Sequence, residues 1–465
     1  MTNRPKLAAG FLSGLRSILP PMAILTDPED CWAYGYDNSR RHSLPQAVAF
    51  PTSHEQVVQI VNACNQHQTP LTARGRGTNT VGATVPLQGG LVVSLERMQK
   101  IIEFSPENRL LIVEPGLTNQ EIQTLAGSRG FFWPPDPTSA AYCSLGGNLA
   151  CNAAGPRAVK YGTPRENTLG LRAVTGAGRE IRTGVRTSKG VVGYDLTRLL
   201  LGSEGTLAII TEATLKLTPL PEAVQTLRAI YRSVLDAAIA ISTIMAQPIV
   251  PCALEFIDGN AIEMIRHHSA CDLPAQAGAL LMIEVDGPRE GLKSIAAKVA
   301  DAARNDGLLD IRIANTAQEV DALWQTRKAL APALRRAAPK KINEDVVVPV
   351  TAIPDLIEGL DRLSVKYDLP IINFGHAGNG NIHVNLLLNP DTPGQSQKAQ
   401  NCMDEVFTMV LNLGGTLSGE HGVGLEKRDF IDRELDANVL ELMRAIKRQF
   451  DPNGILNPGK LLPPD

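Results

Sequence analysis

The sequence of 465 residues is poor in aromatic side chains, at 4%. That scarcity removes the stacking platforms on which single-stranded nucleic acids are read. The net charge of −3 leaves no basic footprint either, so nucleic acid is not an expected partner. Seven cysteines are scattered without a C-x-x-C pair, which argues against a disulfide framework, a zinc knuckle and an iron–sulfur cluster. A reducing compartment fits best, so a cytoplasmic location is expected, peripheral at the inner membrane face or in a mitochondrial matrix as variants of it. Any electrons handled must leave for an external acceptor. No apolar run approaches the ~18 residues needed to span a bilayer. Internal repeats and low-complexity segments are also missing.

What is present is concentrated in a few motifs. Two apolar, strand-like runs, Pro370–Phe374 and Ile382–Leu388, flank the turn Gly378-Asn379-Gly380. Asn-Gly favours a two-residue type I′ hairpin. With Asn379 and Gly380 as the turn, His376 faces His383, at the cross-strand spacing that suits two imidazoles on one metal ion. The alternative is two ordinary histidines on a hairpin. Downstream, Ser418-Gly-Glu-His-Gly422 brackets Glu420 and His421 with glycines, which permit close approach or positive φ. Adjacent residues on an extended segment point oppositely, so one can bind metal while the other faces a different group. Three protein ligands would leave an open position, as a catalytic site requires.

Residues 46–220 alternate short strands, glycine turns and helices, with a capping start at Thr52–Glu55 and strands at 70–74, 91–95, 110–114 and 207–217. Here Arg74-Gly-Arg-Gly-Thr-Asn79 exposes several N–H groups, a nest for phosphate or a plain turn. It is neither the Rossmann nor the Walker pattern. Cys143–Asn148 with Asn152–Gly155, and Leu201–Thr206, add two more small-residue loops. Together they favour a bound dinucleotide. From 221 the pattern becomes that of helices over an antiparallel sheet. Before residue 27 there are basic residues but no acid, and Leu7, Phe11, Leu12, Leu15, Ile18 and Leu19 form a helical stripe. This reads as a helix packed on the first domain, or else as a transit or interfacial segment.

Arg74–Asn79, Val113–Gly116, Tyr194–Thr206, Gly375–His383, Ser418–Gly422 and Gly454–Lys460 resemble, in order, the FAD-linked oxidases of the vanillyl-alcohol oxidase superfamily. The branch resembled holds D-lactate dehydrogenases, the glycolate oxidase FAD subunit and D-2-hydroxyglutarate dehydrogenases. The resemblance implies an α+β fold: a two-subdomain FAD-binding domain plus an antiparallel-sheet substrate (cap) domain. The expected division is an N-terminal helical segment 1–45, the FAD domain 46–220, the cap 221–435 and a returning segment 436–465. It implies FAD contacts at Arg74, Gly75, Arg76, Gly77, Thr78, Asn79, Pro135, Gly146, Gly147, Asn152, Gly155, Glu204, Gly205, Ile210 and Asn457. Residues 74–80 contain no histidine, so the FAD is expected to be non-covalent.

In the second half the resemblance implies a divalent metal (Zn, or Mn or Fe) on His376, His383 and Glu420. It implies His421 as the base and Arg327 as the carboxylate anchor. The implied activity is oxidation of a small D-2-hydroxy acid, D-lactate, glycolate or similar. Electrons would then pass to a quinone, a cytochrome or a flavoprotein. D-2-hydroxyglutarate dehydrogenase and an O₂-using oxidase are the alternatives. Ala331 and Asn343 stand where the hydroxyglutarate enzymes carry a hydroxyl and a basic group, which disfavours a second substrate carboxylate. The oligomeric state is left open, with a homodimer as one option.

Overall fold

The computed structural model describes residues 7–268 and 273–464, apart from the side chains at 9, 267, 268, 325–329, 331, 332 and 335. The chain divides into two compact units. One holds residues up to Gly155, then Gly162–Leu220 and Glu420 onward; the other holds Pro156–Tyr161 and Pro221–Gly419.

The first unit contains two larger sheets, beside a two-stranded pairing of Phe131–Phe132 with Thr218–Pro219. Strands β1 (Ile24–Leu25), β2 (Ala47–Ala49), β3 (Leu71–Arg74) and β4 (Leu91–Ser94) form one, in the order β1-β2-β4-β3. Its β2–β4 and β3–β4 pairings are parallel. Strands β5 (Ile101–Ser105), β6 (Leu110–Val113), β7 (Thr168–Thr175), β8 (Glu180–Gly184) and β9 (Ala208–Lys216) form the other, antiparallel, in the order β5-β6-β9-β7-β8. Helix α1 (Ala9–Ile18) turns its apolar stripe inward, burying Phe11, Leu15 and Leu19 in one core with Val57, Ile60 and Leu71. Within the acid-free segment before residue 27, Ala9–Ile18 is therefore a docked helix; Arg4 and Lys6 lie outside the described residues. Helices α2 (His54–His67) and α3 (Asn119–Gly127) begin where Ser53 accepts the N–H of Gln56 and Thr118 that of Glu121, N-caps worth about 1 kcal/mol each. A helix over Ala437–Phe450 leads back to β3, where Leu71 donates to Ile455 and accepts from Asn457.

The second unit is a seven-stranded antiparallel sheet. Its strands are β10 (Ala223–Tyr231), β11 (Ala253–Asp258), β12 (Ala279–Gly287), β13 (Leu308–Ile313), β14 (Lys340–Val347), β15 (Ile371–His376) and β16 (Asn381–Leu388), in the order β13-β10-β12-β11-β15-β16-β14. One face carries Ile230, Ile257, Met282, Phe374 and Leu387, packed against α4 (Gly259–His268) and α5 (Ala317–Ala337) through Ile262, Leu330 and Leu334. Every residue of β15 and β16 is buried, so this hairpin is interior on both faces.

Asp258 closes β11 onto β15. It is buried, and its carboxylate accepts the N–H of Ala261 and both the main-chain N–H and the side-chain amide of Asn373, its cross-sheet neighbour. Desolvation pushes its pKa up to about 7 despite those donors. The native state thus holds a proton that the unfolded chain releases near the ordinary carboxylate value. This contribution to stability is complete below that value and is lost as pH rises through about 7. Asp258→Asn removes the titration. In urea unfolding between pH 4 and pH 7.5, stability of the variant should rise relative to wild type as pH rises; parallel curves would refute the assignment.

Candidate functional site

In the cofactor-side unit, the loop after β3 is open on its main-chain side. The N–H groups of Arg76, Gly77, Thr78, Asn79 and Thr80 have no acceptor among the described residues. Gly77 has φ +67°, and a Cβ there would fall 2.1 Å from the Arg74 guanidinium, so only glycine lets the loop close. A run of unspent, partly exposed N–H groups fits a diphosphate. The side chains around this loop are committed elsewhere. Arg74 is buried and donates to the carbonyl of Tyr36 at 2.6 Å and to Thr84 Oγ1 at 3.2 Å. Asn79 Oδ1 accepts the N–H of Val81 at 2.9 Å, while its Nδ2 donates to the carbonyl of His421 at 2.9 Å.

The later loops are stitched in the same way. Glu204, in left-handed backbone at φ 52°, accepts the N–H groups of Val423 at 2.6 Å and Gly424 at 2.8 Å. Its own carbonyl accepts from Asn457 Nδ2, which also donates to Ala83. Burial raises the Glu204 pKa, and the two N–H groups with Lys460 and Lys427 oppose that rise. Burial pushes the Lys460 ammonium down to about 8, where its Nζ donates to Asn457 Oδ1. Gly155 donates its N–H to Glu420 Oε2 at 2.8 Å. Asn152, also left-handed, spends its Oδ1 on the N–H of Arg165 and on Thr163. Gly146 lies under Pro115, whose carbonyl accepts its N–H, and Gly147 is capped by Ser144. The carbonyl of Pro135 accepts from Asn119, and Ile210 is buried in β9.

In the sheet unit, the hairpin differs from the expected two-residue turn. His376 pairs with Asn381, and Phe374 pairs with His383. The connection is four residues long: a 3₁₀ turn at Ala377–Asn379 followed by Gly380 at φ +72°. A tertiary contact overrides the local preference, because Gly380 accepts the N–H of Val348 and a Cβ at 380 would fall 1.9 Å from the Val348 carbonyl. The partner of His376 moves by two residues, so the histidines become diagonal rather than opposed. Side-chain parity is unchanged, and both still project from one face. Their ring centroids are 5.2 Å apart at 85°, with a nitrogen of each within 4.8 Å of the other's.

Two carboxylates flank this pair. Glu255, opposite His376 on β11, accepts from its Nδ1 at 2.5 Å. Asp345, opposite His383 on β14, is fully buried and accepts the N–H of Gly419 at 2.8 Å and the hydroxyl of Ser418. Glu420 is the next residue in the chain. Asn385 lies two residues beyond His383 on the same face and opposite Asn343; both bury an amide oxygen that no described group contacts. Arg327 lies in α5, but its side chain is outside the described residues, as is that of Ala331.

Residues 45–184 match the FAD binding domain model, and residues 220–461 match that of the FAD linked oxidases, C-terminal domain. The chain belongs to the FAD-linked oxidases. Glycolate oxidase subunit GlcD of Bacillus subtilis is 38% identical over 93% of this chain and 92% of its own. D-lactate dehydrogenase of Anaerostipes hadrus is 33% identical over 90% and 89%. D-2-hydroxyglutarate dehydrogenase of Stutzerimonas stutzeri is 31% identical over 97% and 98%. The structure of p-cresol methylhydroxylase with substrate bound superposes with a TM-score of 0.81 over 98% of this chain and 97% of that one, at 18% identity. The fold is thus the vanillyl-alcohol oxidase type, an FAD-binding domain with an antiparallel-sheet domain. Among the described residues, no helix of this FAD-linked oxidase is long and apolar enough to cross a membrane.

Glu255 and Asp345 were not singled out in the sequence. The one local signal is an acid inside an otherwise apolar strand, as in Leu254-Glu-Phe256. Of the bonds above, those of Glu204 test most directly whether stitching serves the cofactor. Glu204→Ala orphans two N–H groups, at about 1–3 kcal/mol each when buried. The purified variant should retain less FAD, read from its visible-to-ultraviolet absorbance ratio; full retention would show that the stitches are unrelated to the cofactor.

Proposed function

We propose that this FAD-linked oxidase is a metal-assisted dehydrogenase of a small D-2-hydroxy acid, with D-lactate and glycolate the first candidates. The observation that carries the reading is the bond from Asn79 to the carbonyl of His421, which ties the proposed base to the loop that offers its N–H groups to a diphosphate. Three relatives named for glycolate, D-lactate and D-2-hydroxyglutarate support the substrate class. Uncharged Asn343 and Asn385, paired on the sheet face, provide no cation for a second carboxylate, which favours a short acid over hydroxyglutarate.

His376 and His383 form a two-nitrogen donor set on one face, and Glu420 is proposed as the third ligand. Asp345 supports that role, since it holds Gly419, the preceding residue, directly across from His383. Two imidazoles and a carboxylate suit Zn, Mn or Fe. Bound FAD supplies the two-electron acceptor, and a bound divalent cation supplies polarisation of the substrate hydroxyl. The chain's own groups do the rest. His421 takes the hydroxyl proton, a task matched to imidazole near neutral pH. Arg327 holds the carboxylate through paired hydrogen bonds. The acceptor that reoxidises the flavin is a quinone, a cytochrome or a flavoprotein. The FAD is non-covalent.

Anaerobic addition of D-lactate, glycolate or D-2-hydroxyglutarate should bleach the visible flavin band. The bleaching should vanish on metal stripping and return with added metal. A flavin band that no hydroxy acid bleaches would discard the substrate class. His421→Ala should keep FAD and metal while turnover falls about 10²- to 10⁴-fold; unchanged turnover would exclude His421 as the base.

A further inference from the structure

Glu255 is a buried acid in a place where packing alone calls for an apolar residue. It is 2% exposed, and its strand neighbours Leu254 and Phe256 are fully buried hydrophobics. A carboxylate withdrawn from water costs several kcal/mol unless it is paired and hydrogen-bonded. Its Oε1 is hydrogen-bonded to the imidazole of His376, directly opposite on β15, at 2.5 Å to Nδ1. Imidazole carries its two nitrogens on different edges. With Nδ1 turned to Glu255, Nε2 lies on the other edge, and the His383 ring stands 5.2 Å away and nearly perpendicular.

We infer that Glu255 is a positioning residue. It fixes the proton of His376 on Nδ1 and the ring in one orientation, so that Nε2, and not a ring carbon, is the atom presented as a ligand. The inference rests on the metal reading above and deepens it, because it names the group that sets which nitrogen binds. A carboxylate suits this role better than an amide or a hydroxyl, since a charge-assisted bond is shorter and about twice as strong as a neutral one. Such a bond both stops rotation of the ring and raises the basicity of the far nitrogen. Rotation by a half-turn would put carbon where the ligand atom belongs.

The competing account is a plain buried ion pair, with His376 charged on both nitrogens and contributing only to the fold. The two differ in where protons sit, which nitrogen-15 shifts of the histidine ring report directly. The experiment uses the full-length, FAD-loaded chain labelled in histidine, with His376 assigned by its loss in His376→Gln. Metal-free wild type should show a proton on Nδ1 and none on Nε2. Glu255→Ala should lose that preference and bind Zn²⁺ about 10- to 100-fold more weakly by calorimetry, with FAD content unchanged. Glu255→Gln keeps an acceptor, so it should retain the tautomer, weaken Zn²⁺ binding less, and shift the Nδ1 proton upfield.

A His376 ring protonated on both nitrogens in wild type would overturn the inference. So would Glu255→Ala with wild-type tautomer and Zn²⁺ affinity. Both results leave the metal reading standing. A wild-type protein that binds no Zn²⁺ overturns the metal reading, and this inference with it. If Glu255→Ala does not fold, Glu255→Gln decides: an unmoved Nδ1 proton resonance overturns the role.

Discussion

The cofactor-side unit depends on a carboxylate that is expensive to bury. Glu204 is removed from water in a strained left-handed conformation, and the structure offsets that cost with two short N–H bonds and two nearby ammonium groups. In return it joins three stretches far apart in the chain: its own loop, Val423–Gly424 and Asn457. Replace it with an apolar residue and Val423–Gly424 loses its reference point, while the main-chain carbonyl still holds Asn457. The same logic runs through Asn79 and Asn152. Polar side chains near the glycine loops bond to other loops, and the main-chain N–H groups of residues 76–80 are left available to a ligand. A cradle organised in this way is formed before its ligand arrives, so little ordering remains to be done on binding.

In the sheet unit the governing constraint is parity. A strand alternates faces with a period of two, so a pairing error of two residues keeps every side chain on its own side. This is why a wrong turn geometry still gave the right face for His376 and His383. The Asn-Gly rule describes an isolated hairpin; here the Val348 carbonyl and N–H reach the turn from outside and select a four-residue connection. Nothing within residues 370–388 carries that information.

Much of the fold was legible because it is local. The stripe in α1, the Ser53 cap, the β-branched runs of β4 and β9 and the change of pattern near residue 221 are all short-range signals. The fold class followed from them and from the order of the motifs. The roles of individual polar residues were less legible. The resemblance implies cofactor contacts at Arg74 and Asn152; their side chains are hydrogen-bonded to Tyr36, Thr84, Thr163 and Arg165, which leaves the main chain for such a contact. Glu255 meets His376 across 121 positions and Asp345 meets Gly419 across 74, separations at which spacing arguments have no reach.

Strand β3 carries a further consequence. Leu71 forms a parallel bridge with Leu456 and exchanges hydrogen bonds with Ile455 and Asn457. The first unit therefore lacks part of its frame until residues past 450 have emerged from the ribosome. Domains usually fold in the order of synthesis. Here the sheet unit, whose main segment ends at Gly419, can be finished first, although it is encoded in the middle. The nascent chain must carry an incomplete first unit through that interval, with the apolar edge around Leu71 uncovered. A chaperone that holds residues 46–220, or a slow stretch of translation before residue 450, would act on this step rather than on the chemistry.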